Sequence, residues 1–328
     1  MSDYERLAEL PVQVDGYTTE RRELATGRFT RVTTTVVLTG GGVEGRGEDV
    51  IYEAELHDTF PLEIRLDGTH TVDSLSSALE EHDLHDYRRW AFESAALDLA
   101  LRQAGKSLGE AVGREYRPVR FVASTSGDIR EWLAVEPGLE FKVDTNSRWT
   151  RELMEELAAT GSVRCVDMKG HYVGEWVDRL EPPQYADVLE AFTDAVIEDP
   201  LFDDTSRDVL HAAAERLSFD APIHSVADIE ALPVEPGYMN IKPSRFGSCR
   251  RLFEAIAHCE ARGVRLYGGG QFELGVGREH IQAIASLYYP DGANDVAPSV
   301  YNEPPPRAGL PQSPLEPAER PVGLAFAG

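Results

Sequence analysis

The chain has 328 residues, 42% hydrophobic and 27% charged, a globular balance with length for one large core or two modest ones. Its formal charge of −25 repels nucleic acid and anionic membranes, so neither is an expected partner. No apolar run approaches the ~18 residues of a membrane span, the start MSDYERLAEL lacks a signal-peptide core, and the expected address is cytoplasmic.

In chain order, residues 28–39 (RFTRVTTTVVLT) alternate and are rich in β-branched side chains, which predicts a strand. GGGVEGRGEDV (40–50) reads as a glycine-punctuated turn and VIYEAEL (50–56) as the returning strand. Helices are expected at about 73–82 and 86–104, the second with an apolar stripe through Trp90, Leu97 and Leu101 and a stop at Gly105. Strands followed by helices, without alternation, argue for a separate α+β domain over 1–117.

From 118 onward short apolar strands alternate with amphipathic helices. The strands are VRFVAST (119–125), LEFKVD (139–144), VRCVDMK (163–169), AVIED (195–199), RLSFD (216–220), YMNIKP (238–243), VRLYGG (264–269) and DVAPSV (295–300). Helices are expected at 149–160, 184–192 and 247–262, among others. Eight strands with helical crossovers suit a closed parallel barrel of the TIM type over 118–302, with an open doubly wound sheet as the alternative. The tail, 303–328, is proline-rich and is expected to be extended, disordered, or packed back across the first domain.

Charged residues interrupt these strands only at their last positions: Lys142 and Asp144, Asp167 and Lys169, Glu198 and Asp199, Asp220, Lys242. In a barrel those ends meet at one mouth, where such folds carry their active sites. Asp167, Glu198 and Asp220 end successive strands, and unit charges about 4 Å apart repel by about 4 kcal/mol at an effective dielectric near 20. Such a cluster needs protonation, cationic partners or a bound metal, and oxygen-only donors suit Mg²⁺ or Mn²⁺. Only four of the 32 basic residues are lysines: Lys106, Lys142, Lys169 and Lys242. Lys142 and Lys242 close strands two and six and would flank the metal as acid and base, abstracting a proton beside a substrate carboxylate while the metal stabilises the enediolate.

AFESAALDLALRQAGKSLGEAVG, FKVD, AVIEDP, NIKPSRFG and GGGQFELGVGR resemble the enolase superfamily, in its muconate cycloisomerase and o-succinylbenzoate synthase branch, and GRGED (45–49) resembles that family's capping-domain loop. The resemblance implies a modified (β/α) TIM-type barrel with an N-terminal α+β capping domain, metal ligands Asp167, Glu198 and Asp220, and Lys142 and Lys242 as opposed acid and base. Glu273, in QFELG, matches a family glutamate near strand seven; Gln271, Lys169 and Asp144 are further candidates to touch substrate or support the ligands. The family's second strand usually carries lysines at i and i+2. Reading Glu140-Phe141-Lys142 in that register makes Lys142 the base; sliding it puts Asp144 there, and the first is favoured. Lys169 stands where the family more often has asparagine. Strand seven lacks the histidine of mandelate racemases, and Asp295-Val296-Ala297 lacks the paired aspartates of dipeptide epimerases.

Segments 14–30 and 40–49 are expected to close over the mouth. Cys165, Cys249 and Cys259 form no CxxC pair and read as reduced, half-buried thiols. The histidines, His57, His82, His85, His171, His224 and His280 among them, are dispersed and read as surface or helix-end residues, Trp149 as core, and GGGQFELGVG does not spell a dinucleotide loop. The expected partner is a small carboxylate substrate; a homo-oligomer is compatible with the sequence. The expected activity is that of a lyase or isomerase, of cycloisomerase or dehydratase type. The alternatives are a racemase or epimerase, a Schiff-base aldolase, and a catalytically silent barrel.

Overall fold

The structure, a computed structural model, describes all residues except 27–28, 61, 126, 173, 175–176, 303–305 and 328. A short helix, Asp3–Ala8, opens the chain, and β1 (Pro11–Val14) later pairs with β5 (Gly68–Thr71). Between them β2 (Gly16–Ala25), β3 (Thr30–Gly40) and β4 (Val43–Asp49) form an antiparallel meander. Helices Val72–Glu80 and Asp86–Gln103 fall where the apolar periodicity puts them, and the second, buried on every side from Arg88 to Leu101, packs on the meander.

The region around the glycines differs from the sequence expectation. Residues 43–49 are a strand, only 41–42 turn, and 50–53 form a loop running into a 3-10 turn at Ala54–Thr59. Gly45 and Gly47 are present for close approach, not for bending. A Cβ on Gly45 would lie 2.3 Å from the Ala95 carbonyl oxygen, and one on Gly47 2.0 Å from that of Ala91. The segment 40–49 is thus mostly β4, packed closely against helix Asp86–Gln103. The segment 14–30 is likewise mostly β2, and its residues 27–28 lie outside the described ones.

The barrel runs through β6 (Ala123–Thr125), β7 (Phe141–Asp144), β8 (Val163–Asp167), β9 (Val196–Glu198) and β10 (Leu217–Ser218), all parallel, then β11 (Tyr238–Ile241) and β12 (Arg265–Gly268). Asn240 N donates to Phe219 O at 3.2 Å and joins β10 to β11. The eighth expected strand is a pair of bridges rather than a ladder: Asp295 N reaches Gly268 O and Val122 N reaches Asn294 O, both at 2.8 Å, which closes the ring. The first expected strand is regular only from Ala123, because Val119 pairs with Leu315 of the tail. The tail packs back onto the molecule there and at Gly323, beside Ser107, with Leu324 and Phe326 buried.

Trp149 is in the core, as expected, and the three thiols are fully rather than half buried. His57 and His280 are buried too, against the surface reading. His57 bridges Thr34 and the Ile51 carbonyl, and burial holds His280 down at about 4.

Two side chains of the meander tie it to the loop after β12. Arg31, fully buried, donates to the carbonyls of Val50, Ile51, Gln271 and Phe272. Glu48 accepts from the N–H groups of Leu274, Gly275 and Gly277 at 2.8–2.9 Å, where helix Gly277–Tyr288 begins. Among the described residues no helix is long and apolar enough to cross a membrane.

Candidate active site

Parallel pairing sets Asp144 beside Asp167 and Asp167 beside Glu198, one row of carboxylates across three strand ends. Ser218 continues that row, and Asp220 lies two residues further up. All three expected metal ligands are buried: Asp167 2%, Glu198 0% and Asp220 1% exposed.

Lys142 is not at the end of its strand. It pairs with Cys165, one pleat below the row, and its ammonium donates to Glu198 Oε1 and lies 3.3 Å from Asp167 Oδ2. Glu140 sits lower still, bonded to Arg120 and Arg164 at 2.6 Å. This corrects the favoured register: the upper inward position of β7 belongs to Asp144, because Lys142 and Asp144 are the two residues of one strand face that reach the carboxylates. Lys169 answers Asp144 at 3.2 Å and Asp167 at 3.5 Å. Lys242 directly follows β11 and meets Asp220 Oδ2 at 2.8 Å.

Several groups at the site escaped the sequence reading. Arg245, three residues past Lys242 in the short helix Pro243–Phe246, brings its guanidinium to 3.1 Å from Asp220 Oδ1 and donates to the Tyr172 hydroxyl, also at 3.1 Å. The spacing in NIKPSRFG held that signal, but lysine scarcity drew attention to Lys242 alone. Asn240 donates to Glu198 Oε2 at 3.0 Å, and the Tyr267 hydroxyl donates to the same oxygen. Gln271 is buried, and with its amide turned to suit its neighbours its oxygen accepts from Arg245 Nε at 3.2 Å and from Tyr87 of the cap at 3.1 Å. Glu273 faces away, toward Arg278 at 3.2 Å and the Gln271 N–H at 2.6 Å.

Three residues past strand ends hold positive φ: Lys169 (+53°), Asp199 (+48°) and Phe272 (+55°). Such backbone is costly outside glycine and clusters at functional sites. Asp199 uses its turn to accept from the N–H groups of Asp220 (2.7 Å) and Ala221 (2.9 Å), which sets the Asp220 backbone.

Burial drives the Asp220 carboxyl up, but the charges of Arg245, Lys242 and Lys142 outweigh it and hold it well below the usual range. Burial wins at Glu198, which is raised despite Lys142. Four carboxylates (Asp144, Asp167, Glu198, Asp220) thus face four cations (Lys142, Lys169, Lys242, Arg245).

The donor set fits a divalent cation in kind, since it is three hard oxygen ligands on neighbouring strands. It fits in place as well: Asp167 and Glu198 already converge on one cation, the Lys142 ammonium, and Asp220 Oδ1 accepts no hydrogen bond, although the Arg245 guanidinium lies 3.1 Å from it as an ion-pair partner. A metal would compete with that ammonium, for among the described residues no three acidic, histidine or cysteine side chains converge as a ready cage.

Residues 5–111 match the family model described as the N-terminal domain of a domain of unknown function, DUF8230, and residues 115–303 match its C-terminal domain. The chain belongs to this family. No curated protein matches it. Among solved structures, a dipeptide epimerase from Methylococcus capsulatus complexed with Mg ion is 18% identical, with a TM-score of 0.72 over 96% of this chain and 99% of that one. The muconate lactonizing enzyme from Pseudomonas fluorescens complexed with muconolactone is 18% identical, with a TM-score of 0.72 over 96% of both chains. An enolase-superfamily member from Enterococcus faecalis, at 21% identity, gives 0.64 over 86% of this chain and 83% of that one. This DUF8230 chain therefore has the enolase-superfamily fold of the muconate-lactonizing type: a capped α/β barrel.

Proposed function

We propose that this chain is a metal-dependent enzyme of the isomerase or lyase kind, which abstracts a proton beside the carboxylate of a small substrate. The observation that carries the reading is the buried row Asp167–Glu198 with Asp220 above it, flanked at the mouth by amines from β8 and β11. Asp167, Glu198 and Asp220 would hold Mg²⁺ or Mn²⁺, whose chemistry when bound is to neutralise the substrate carboxylate as the proton leaves.

The chain's own groups divide the remaining work. Lys242 is one proton-transfer group. The sequence pairs it with Lys142, but Lys142 is 2% exposed and enclosed by Glu198 and Asp167, whereas the Lys169 side chain is 23% exposed beside Asp144. Exposure favours Lys169 as the group opposite Lys242, with Asp144 orienting it and Lys142 balancing the carboxylates. Arg245 and Tyr172 hold Asp220, and Tyr87 of the cap closes the mouth over Gln271 and Arg245.

An amine on either side of the substrate also supports a racemase or epimerase, which uses the two in turn. The test is exchange of substrate α-protons in D₂O over a panel of carboxylic acids with Mg²⁺. Exchange with product of inverted configuration selects the epimerase reading, exchange with elimination or cyclisation selects the lyase or cycloisomerase. Absence of exchange across amide, hydroxy-acid and unsaturated-acid substrates defeats both.

A further inference from the structure

The end of the barrel opposite the mouth holds a cavity of about 460 Å³, within the range of small-molecule sites. Four of its walls are arginines: Arg117, Arg120, Arg164 and Arg265. Among the described residues they pair with two carboxylates. Glu140 serves both Arg120 and Arg164, at 2.6 Å each, and Arg117 holds Asp291 at 2.7 Å. Of the other two acids on the wall, Glu260 is paired with Arg114 at 2.9 Å and Asp194 has no ion pair among the described residues.

Arg265 is the exception that gives the cavity its character. Among the described residues it has no carboxylate within ion-pair range. Its guanidinium lies 3.8 Å from the centre of the Tyr238 ring and donates to the Glu215 and Gly237 carbonyls at 2.8 and 3.4 Å. A guanidinium held flat by a ring and by backbone oxygens keeps its outer edge fixed, and that edge matches the paired oxygens of an oxyanion. Arg164 engages Glu140 through Nε alone, which leaves its terminal N–H groups for a second acceptor. On a chain whose total is −25, four arginines around one cavity depart from the general composition.

We propose that this cavity binds a small multivalent oxyanion of the phosphate type, with Arg164 and Arg265 as its principal contacts. The site is separate from the mouth and does not depend on the reaction proposed there.

Titration of the metal-free full chain with inorganic pyrophosphate at low ionic strength should release saturable heat with one-to-one stoichiometry. Arg265→Gln and Arg164→Gln should each weaken it at least tenfold, while Lys242→Ala at the mouth leaves it unchanged. Should Arg265→Gln fail to fold, the exposed Arg117→Gln variant takes its place, with weaker binding expected. No saturable heat in the parent, parent-like affinity in the folded arginine variants, or loss of binding in Lys242→Ala would each overturn the proposal.

Discussion

Lys169 and Asp144 face each other across the ends of β8 and β7, 3.2 Å from amine to carboxylate, each side chain about a quarter open to the mouth. Their backbones are neighbours because Asp144 pairs with Asp167, and Lys169 turns back over that pair with φ at +53°. The open amine of the β7–β8 side is thus contributed by β8.

The first expected outcome follows from that pair. Removing a general base costs about 10²–10⁴ in rate. Lys169→Ala and Lys242→Ala should each lose at least that much α-proton exchange while calorimetry still detects Mg²⁺ binding. Lys169→Arg keeps the charge but cannot readily give up a proton, so it should be nearly as slow. Full exchange in Lys169→Arg would reduce this residue to an electrostatic role. Full exchange in Lys169→Ala would return the role to Lys142.

Lys142 supports a different expectation. It is enclosed by Glu198 and Asp167, and breaking a buried ion pair by removing one partner typically costs about 3–5 kcal/mol. Lys142→Met should lose about that much stability to urea without metal. Because Mg²⁺ would take the same two oxygens, it should restore more stability to this variant than it adds to the parent. An equal metal effect in both proteins would show that Lys142 and the metal do not share a position. Glu198→Gln should weaken Mg²⁺ in the same assay, and unchanged affinity would remove Glu198 as a ligand.

Much of this site was legible because charge inside a parallel barrel is costly, so acids and lysines at strand ends announce themselves. Asp167 and Glu198 end neighbouring strands, and Asp220 lies two residues past the end of the next one. The register of β7 was not legible. Lys142 and Asp144 point inward alike, and only the ladder to β8 tells which one reaches the mouth. Arg245 was hidden because arginine is common throughout the chain, and its meaning lies in meeting Asp220. GRGED misled the reading of the cap for a physical reason as well: glycine serves turns and close packing equally, and its sequence does not say which.

That packing gives a stability test. Gly45 and Gly47 lie in β4 without positive φ, so alanine there meets steric rather than dihedral cost. A methyl group would overlap the backbone of helix Asp86–Gln103, with contacts of 2.0–2.3 Å to its carbonyl oxygens. Overpacking of this kind costs about 1–3 kcal/mol or more. Gly47→Ala and Gly45→Ala should each lower the urea midpoint accordingly, whereas Gly42→Ser at the exposed turn, which has φ of +81° but open space, should lose less.

The joint between cap and barrel supplies the last prediction. His224, on the loop after β10, places Nδ1 3.0 Å from Asp86 Oδ2 at the start of helix Asp86–Gln103, and 3.0 Å from the Arg245 carbonyl. Arg251 holds the other Asp86 oxygen at 3.1 Å, and Asp228 accepts from the His224 N–H at 3.0 Å. The hydrogen bond to Asp86 raises the His224 pKa, against burial and the nearby Arg245 charge. A raised folded-state value means that protonated His224 binds its proton more tightly in the folded protein than in the unfolded chain. Its contribution is therefore fully present below the ordinary value of about 6.5, and it is lost as pH rises through the raised one. The side chain is 42% exposed, so solvent screens the pair and the energy is small. The titration itself is the better readout. The His224 ring resonances should titrate above an ordinary histidine in the wild type and fall back toward it in Asp86→Asn. The urea midpoint of the wild type should drop between pH 6 and 9 more than that of His224→Gln. A His224 that titrates at or below the ordinary value, or two variants with the same pH slope, would mean that Asp86 is held by Arg251 alone and that the joint is indifferent to protonation.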